Sequence, residues 1–477
     1  MKKFALLFLT TVGYFTYAQF TSPGNGTIYT LSSLSEAAPS VLIKNASEYH
    51  MTQDITIQFG DTLLMDENAT IKVDADKAIY IYGVYSTTTS NLLITATNTE
   101  APFKGIRFET GSVAEMKNTK IEYGGGVRVL TDSFLMDNCI LYKNIGGVSS
   151  SGALSFFSGN PVVRNSQFLE NSKAGIATGV SSGSSITIEN NYLYGNNTDN
   201  ANSPQINIGM AISDSVKVLN NTVIGNRSLT RVGGIGVSML TGGPTKFRIE
   251  GNTVKDNRYG FTTIGANATG IVKNNIFENN DTETNPNNGG SGISVYSAQN
   301  VIIRNNQIRG NLWGITVISN GTVNLGTETD PGNNIFKNNG NNGNIVALYN
   351  NTTLPISAQG NCWREDELST DAMVEEVIGS QTQGTITYKP YLCAAPLAVA
   401  DTTLLKSKIY PNPSNGNFEL DTEKSGNYII TDLSGRLVSS GIANKGKNSI
   451  STKLAPGTYI LVYQSEGQRV SEKLIIK

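Results

Sequence analysis

Apolar and polar residues alternate within a phrase that recurs along most of the chain. One copy, RIEGNTVKDNRYGF at residues 248–261, places the charged Glu250 beside the apolar Ile249, with the apolar Val254 a few residues later. Aligned on their last asparagine, the copies are 20 to 31 residues apart. The anchor positions are Gly124, Asn144, Asn171, Asn196, Asn226, Asn257, Asn280, Asn311 and Asn339. Such a period is typical of proteins built by stacking one unit on the next.

Two columns of the aligned repeat are apolar, and a mostly charged column lies between them. Three residues before the anchor stand Ile121, Leu141, Phe168, Leu193, Val223, Val254, Phe277, Ile308 and Phe336. Eight residues before it stand Met116, Met136, Val163, Ile188, Val218, Ile249, Val272, Ile303 and Pro331. Seven residues before it stand Lys117, Asp137, Arg164, Glu189, Leu219, Glu250, Lys273, Arg304 and Gly332. This alternation predicts short strands with one buried face.

A third column, six residues before the anchor, predicts a fixed corner. It holds Asn118, Asn138, Asn165, Asn190, Asn220, Gly251, Asn274, Asn305 and Asn333. Asparagine and glycine best tolerate a left-handed backbone. If equivalent strands of successive coils pair in parallel, we expect these amides to form a hydrogen-bonded ladder along the stack.

The predicted fold class is all-β, with a right-handed parallel β-helix followed by a small C-terminal β-sandwich. Right-handedness follows from the usual hand of parallel crossovers. Residues 55–105 alternate in the same way and add two or three coils, giving about twelve coils in all. The repeats resemble the pectate-lyase-like superfamily of right-handed parallel β-helix proteins over about residues 50–393. That fold hosts lyases, hydrolases, epimerases, adhesins and phage tailspikes, so the resemblance implies a fold and not an activity.

Residues 360–393 resemble the segment that often closes such helices. An Asn-x-Trp motif at Asn361 and Trp363 precedes an expected short helix over 371–378 and a Pro-aromatic-Leu strand end at 390–392. A cap is needed because the last coil would otherwise expose apolar residues and an open sheet edge. Cys362 and Cys393 flank this cap, and in an oxidising compartment they are the natural disulfide pair.

The two ends of the chain predict export. Residues 1–18 have two lysines, an apolar run and Ala18, as in a secretory signal peptide, and 19–54 form an N-terminal lead-in and cap before the β-helix of 55–359. Residues 394–406 are a linker. Residues 407–477 closely resemble the type A C-terminal sorting domain of the type IX secretion system. The residues that carry this resemblance are Tyr410-Pro411-Asn412-Pro413, Gly416-Asn417-Phe418, Asp432-Leu433-Ser434-Gly435, Leu454-Ala455-Pro456-Gly457-Thr458-Tyr459 and Lys473–Lys477.

Charge and composition narrow the function. Lysine plus arginine (36) nearly balances aspartate plus glutamate (38), which argues against nucleic-acid binding. His50 is the one histidine, so a histidine-based triad or metal site has little to build on. Asp74 and Asp76 are the nearest candidates for a calcium site, although such a pair more often decorates a turn. We expect no cofactor, no metal and no membrane span after the signal peptide.

Four side chains stand out as ligand contacts: Arg258, Tyr259, Arg304 and Trp313. Tyr259 and Trp313 each lie two residues after an anchor and are expected to share a face two coils apart. Arg164 or Arg304 could act as a lyase base, but a ladder of alternating charges explains that column better. The sequence thus predicts a secreted or cell-surface protein that meets the type IX machinery through 407–477 and acts as an adhesin-like or glycan-binding rod. A lyase or hydrolase of acidic polysaccharide is the alternative.

Overall fold

The computed structural model describes residues 19–179, 183–211, 214–367, 369–378, 384–393, 407–432, 437–465 and 468–477. The predicted signal peptide (1–18) and linker (394–406) lie outside the described residues. The chain divides into two compact units between residues 394 and 395.

Three long sheets build the first unit, and successive coils contribute one strand to each sheet in turn. The strands pair in parallel, except that Leu42–Asn45 and Glu48–Met51 form an antiparallel hairpin at the start of sheet C. Sheet A contains Phe20–Thr21, Ile55–Ile57, Ala78–Ile81, Gly105–Phe108, Val127–Val129, Gly152–Phe156, Ala174–Thr178, Pro204–Ile208, Gly233–Ser238, Phe261–Ile264, Ser291–Tyr296, Trp313–Ile318 and Leu348–Asn351. Sheet B contains Ile28–Thr30, Thr62–Met65, Val84–Thr87, Val113–Lys117, Ser133–Asp137, Val162–Arg164, Thr187–Glu189, Val216–Leu219, Thr245–Glu250, Ala268–Lys273, Val301–Arg304, Val323–Asn324, Ile356–Ser357 and Ile386–Thr387. Sheet C contains Leu42–Asn45, Glu48–Met51, Ala69–Val73, Leu92–Ala96, Thr119–Glu122, Ile140–Tyr142, Gln167–Leu169, Tyr192–Tyr194, Thr222–Ile224, Thr253–Lys255, Ile276–Glu278, Gln307–Arg309 and Ile335–Lys337.

The predicted apolar columns face the interior of this β-helix. Val254, for example, is fully buried and pairs in register with Val223 on one side and Phe277 on the other. Between sheets A and B, the rings of Phe108, Phe134 and Phe156 follow Tyr85 at centroid separations of 5.4 Å, each pair edge to face. Parallel in-register stacking therefore gives each coil a buried face that no coil has alone.

All nine residues of the predicted corner column are left-handed, with φ between 48° and 69°. This corner joins sheet B to sheet C in each coil. The amide ladder expected there lies elsewhere, because the corner side chains point towards solvent. Only Asn138 donates to its neighbour Asn118 within the corner column of the described residues.

Two buried amide ladders run along the stack instead. The first lies one residue after the corner, where each amide bonds the next through both its backbone N–H and its side chain; its members are Asn191, Asn221, Asn252, Asn275, Asn306, Asn334 and Asn361. The second follows the anchors from Asn144 to Asn339. Asn226 is exposed and is replaced in it by the fully buried Gln205, which bridges Asn196 and Asn257.

The N-terminal end begins earlier than the predicted start at residue 55. Phe20–Thr21 pairs with Ile55–Ile57, so residues 19–54 already contribute strands to the stack, and helix α1 (Leu31–Ala37) covers its end. The Asp61 carboxylate stabilises the loop of residues 22–27, which precedes helix α1. It accepts backbone hydrogen bonds from Gly24, Asn25, Gly26 and Thr27 at 2.7 to 3.0 Å.

At the other end, the closing segment forms much as its sequence suggests. Helix α2 spans Asp371–Ile378, and Trp363 is buried and stacks on Phe336 with centroids 5.2 Å apart. Cys362 and Cys393 are joined by a disulfide. Asn361 is the last amide of the first ladder, so the closing segment continues the polar stack as well as the core.

The second unit is a small antiparallel β-sandwich with a core of its own. One sheet contains Ser407–Tyr410, Asn417–Thr422 and Gly446–Ser451. The other contains Leu437–Ala443, Gly426–Asp432, Gly457–Ser465 and Gln468–Ile476. Their apolar side chains pack into a separate cluster that includes Phe418, Leu461 and Leu474. The motif residues Leu433, Ser434 and Gly435 lie outside the described residues.

Candidate functional site

The charged column is partly a ladder of ion pairs. Arg164 contacts Asp137 at 2.9 Å, and Lys273 contacts Glu250 at 3.4 Å, each across one coil. Lys117 departs from this arrangement, because it pairs with Glu115 on its own strand. Opposite charges thus neutralise one another along much of the column, which favours the structural interpretation over a lyase base.

Arg304 does not reach solvent, which corrects its prediction as a ligand contact. Its residue is 7% exposed, and its guanidinium donates to the carbonyl oxygens of Ile303 and Asn324, to Asn324 Oδ1 and to Asp330 Oδ2. The charged column predicted that Arg304 points outwards. In the next coil, however, the sheet B strand is shorter and the turn after it is longer, and that turn covers the Arg304 side chain.

Arg258 holds a neighbouring loop in place. It donates to the carbonyl oxygen of Asn288 and to Asn202 Oδ1, so its guanidinium links the turns of three coils. The remaining ligand-contact predictions concern rings on the same edge of sheet A. Their geometry decides how much ring surface is left for a ligand.

Tyr259 and Trp313 share one column of sheet A, with Ser291 between them. Tyr259 covers Gly233, where an added Cβ would come within 2.1 Å of the ring, and burial raises the pKa of its hydroxyl to about 12. Trp313 donates from Nε1 to the carbonyl oxygen of Pro286 at 2.9 Å and packs against Tyr349 with ring centroids 4.9 Å apart. Both rings are half-buried in contacts within the β-helix.

The one histidine of the chain pairs with a single carboxylate. His50 Nε2 lies 2.7 Å from Asp74 Oδ1 at the surface. Burial raises the pKa of Asp74, but hydrogen bonds from His50 and Thr97 outweigh it and hold that pKa below its usual value. Across the part of the chain that the structure describes, no three His, Cys, Asp or Glu side chains are grouped to hold a metal ion.

A different surface presents exposed rings: the outer face of sheet C in four successive coils. Its eight outward residues are all uncharged, and we call them the tyrosine face: Ile140, Tyr142, Gln167, Leu169, Tyr192, Tyr194, Thr222 and Ile224. Tyr192 and Tyr194 are 41% and 36% exposed. Charged residues return on the strands before and after, at Lys120 with Glu122 and at Lys255.

Register sets the spacing of these rings. Tyr142, Leu169, Tyr194 and Ile224 form one column, and Ile140, Gln167, Tyr192 and Thr222 form the other. Two coils separate Tyr142 from Tyr194, which is roughly 10 Å along the stack. Burial and the neighbouring Tyr194 raise the pKa of the Tyr192 hydroxyl, so this phenol is a neutral hydrogen-bonding group at neutral pH.

The sequence contains a signal for this face outside the core and corner columns. The positions two and four residues before the anchor are outward in every coil, and in these four coils they are aromatic, aliphatic or uncharged polar. The repeat pattern does not show whether loops cover these outward positions. Their exposure is therefore known only from the folded chain.

Three families match separate parts of the chain. Residues 77–244 match the right handed beta helix region, residues 408–477 match the secretion system C-terminal sorting domain, and residues 282–367 match a protein of unknown function (DUF1565). The protein is a right-handed parallel β-helix protein with a type IX secretion sorting domain, as the sequence resemblances predicted. That domain indicates delivery to the cell surface or the extracellular space. Within the described ranges, no helix is long and apolar enough to cross a membrane.

Solved structures give distant likenesses. The receptor-binding tailspike of bacteriophage Det7 is 11% identical, with 94% of this chain and 98% of that chain covered and a TM-score of 0.41. The alginate lyase of Paenibacillus sp. str. FPU-7 is 14% identical, with 77% and 99% covered and a TM-score of 0.16. Tailspike protein 2 of bacteriophage CBA120 is 10% identical, with 93% and 73% covered and a TM-score of 0.22. TM-scores this low carry no argument about function. No curated protein matches the sequence.

Proposed function

We propose that this protein binds an uncharged polysaccharide outside the cell through the tyrosine face, and that it acts as an adhesin-like surface protein. The observation that supports this most directly is the run of eight uncharged outward residues with exposed Tyr192 and Tyr194 at its centre. Exposed apolar patches bounded by polar residues mark interaction sites. Type IX delivery brings this surface into contact with extracellular polymers.

The chemistry of the face suits a sugar chain. Pyranose rings have apolar C–H faces that pack on aromatic rings, and their hydroxyls need hydrogen-bonding partners that tyrosine hydroxyls supply. The column spacing of Tyr142 and Tyr194 is comparable to one disaccharide of an extended chain. Lys120 and Lys143, which flank Tyr142, are already paired with Glu122 and Glu170, so the face offers no spare positive charge to an acidic polymer.

The test is co-sedimentation with insoluble polysaccharides, supported by affinity electrophoresis for soluble ones. The panel contains cellulose, chitin, xylan and mannan as neutral polymers, and pectate and alginate as acidic ones. Replacing Tyr192 and Tyr194 together with alanine removes two ring contacts and should weaken binding of the preferred neutral polymer at least about tenfold. Tyr296, which is 46% exposed on sheet A, provides the matched control as Tyr296→Ala.

Three results would contradict this proposal: no binding to any polymer, tighter binding to the acidic polymers, or equal binding by the double variant and the wild type. The same incubations report reducing ends and unsaturated ends. Release of either would favour a hydrolase or a lyase over a binding protein.

A further inference from the structure

A cleft of about 540 Å³ opens at the corner between sheet A and sheet B, away from the tyrosine face. Three consecutive coils form it. The first contributes Thr110, Gly111, Ser112 and Val113, the second contributes Leu130, Thr131, Asp132 and Ser133, and the third contributes Phe157 and Ser158. Its volume lies within the range of small-molecule sites in proteins.

The corner that forms the cleft is held in one shape by hydrogen bonds from side chains to backbone. Ser112 Oγ donates to the carbonyl oxygen of Glu109 at 2.7 Å, Thr131 Oγ1 donates to the carbonyl oxygen of Ser112, and Ser158 Oγ donates to that of Leu130 at 3.0 Å. The first bond closes the turn within one coil, and the other two join neighbouring coils. The cleft is therefore formed before any ligand arrives, which lowers the entropic cost of binding.

Phe157 gives the cleft an aromatic wall whose orientation is fixed. Its ring is partly exposed, and the guanidinium carbon of Arg128 lies 4.3 Å from the ring centroid in a cation–π contact. Leu130 and Val113 continue the apolar surface, and Val113 is 48% exposed. An apolar ring face of a ligand can pack here.

The polar groups of the cleft divide into those already bonded and those that are free. Ser112, Thr131 and Ser158 use their hydroxyl protons on the backbone, as above. Asp132 is exposed, and among the described residues its carboxylate has no ion-pair or hydrogen-bond partner. A free carboxylate opposite an apolar wall is a strong acceptor for two neighbouring hydroxyls of a ligand. It repels a ligand that has a carboxylate of its own.

We propose that this cleft binds one neutral sugar residue, whose apolar face packs on Phe157 and whose vicinal hydroxyls donate to Asp132. An aromatic wall fits the apolar face of a hexose, and the Arg128 cation is engaged with the Phe157 ring. The unpaired Asp132 carboxylate favours a neutral hexose over a uronic acid, because it repels a second carboxylate. This inference extends the proposed function by adding a second sugar site, and it depends on that function only in assuming a glycan ligand. The tyrosine face contacts a polymer, whereas the cleft takes a single residue that is small enough to be tested alone.

The experiment measures binding of the methyl glycosides of glucose, galactose and mannose to the full chain by saturation-transfer NMR and titration calorimetry. Methyl glucuronide is the acidic arm. We expect at least one neutral glycoside to bind and the glucuronide to bind at least about tenfold more weakly. Phe157→Ala should weaken the neutral ligand at least about tenfold, and Phe59→Ala, at a 77% exposed ring outside the cleft, should leave it unchanged.

Asp132→Asn supplies a second variant that leaves the aromatic wall intact. It should weaken binding of the neutral glycoside about fivefold or more, because an amide accepts hydrogen bonds less strongly than a carboxylate. It should also reduce the ratio of the two affinities, neutral glycoside over glucuronide, because the repulsion of the glucuronide carboxylate is gone. Absence of binding by every neutral glycoside, equal binding of the glucuronide by the wild type, or unchanged binding by both cleft variants would overturn the inference. Alanine at Tyr192 and Tyr194 should not alter glycoside binding, so failure of the polymer experiment and failure here are separate results.

Discussion

In five of the nine aligned coils two asparagines stand side by side and serve different physical needs. Asn305 is exposed and left-handed at φ 55°, whereas Asn306 is fully buried with an ordinary backbone. The position of Asn305 requires a residue that tolerates positive φ, and asparagine does. The position of Asn306 requires a side-chain amide, which donates to the carbonyl oxygen of Val272 and to Asn334 and accepts from Asn275.

Removing the buried member of this pair should destabilise the β-helix far more than removing the exposed one. Asn306→Ala removes the side-chain donor to the carbonyl oxygen of Val272 and the acceptor of the buried Asn275 backbone N–H, and should lower the free energy of unfolding by roughly 2–4 kcal/mol. Asn305→Gly keeps the left-handed backbone and is the control, with an expected change within about 1 kcal/mol. Guanidinium denaturation of the two variants checks this. Equal effects would mean that the ladder amide contributes no more than its exposed neighbour.

At the scale of elements, the N-terminal loop of residues 22–27 depends on one carboxylate from the next coil. Burial raises the pKa of Asp61, but hydrogen bonds from Ser22, Gly24, Thr27 and Gly26 outweigh it and lower the pKa below its usual value. A carboxyl with a lowered pKa stabilises the fold in full above the pKa of the unfolded chain, about 4, and loses that effect as the pH falls through the folded pKa.

Asp61→Asn should therefore reduce stability at pH 7 by roughly 2–4 kcal/mol, because the charged acceptor of four backbone N–H groups is lost. The difference from the wild type should shrink as the pH falls below about 4. Urea denaturation at pH 7 and pH 3 measures this difference in stability. Limited proteolysis near the N-terminus reports unfolding of the loop itself. Asp66→Asn, at an exposed carboxylate of the following turn, is the control and should have little effect at either pH.

At the scale of the whole molecule, the two units have separate cores and match different families, of which the C-terminal one is a sorting domain. The β-helix core ends in its own closing segment, with helix α2, the disulfide and the stacked Trp363. We therefore expect the β-helix to fold without the sandwich, because its closing segment covers the last coil.

Deleting residues 407–477 should accordingly leave the β-helix folded, with a thermal midpoint within about 3 °C of the same unit in the full chain. The same deletion should abolish delivery to the cell surface, since the sorting domain is missing. Circular dichroism of the purified fragment and fractionation of producing cells give the two readouts. A fragment that unfolds or aggregates would show that the sandwich stabilises the β-helix. Surface delivery without the sandwich would assign sorting to another part of the chain.

Much of the fold follows from the periodicity of the chain, because the interior of a stacked coil accepts only apolar side chains at fixed steps and its corner accepts only residues that tolerate positive φ. Ile249, Val254 and Gly251 could therefore be assigned from the repeat, as could the closing segment with Asn361 and Trp363. The site was harder to predict. Arg304 belonged to a column of charged residues, and nothing local distinguishes an outward arginine from one that a later turn covers.

By itself, the sequence determined the coil repeat, the left-handed corner, the closing segment and the sorting domain, because each depends on short-range chemistry or on a match between local motifs. Only the tertiary structure decided which amides form the ladders, that Gln205 replaces Asn226 in one of them, and that Tyr192 and Tyr194 remain exposed while Arg304 does not. Loops of different length fold back over different coils. Burial of an outward side chain therefore depends on residues far away in the sequence, and the repeat pattern carries no record of that.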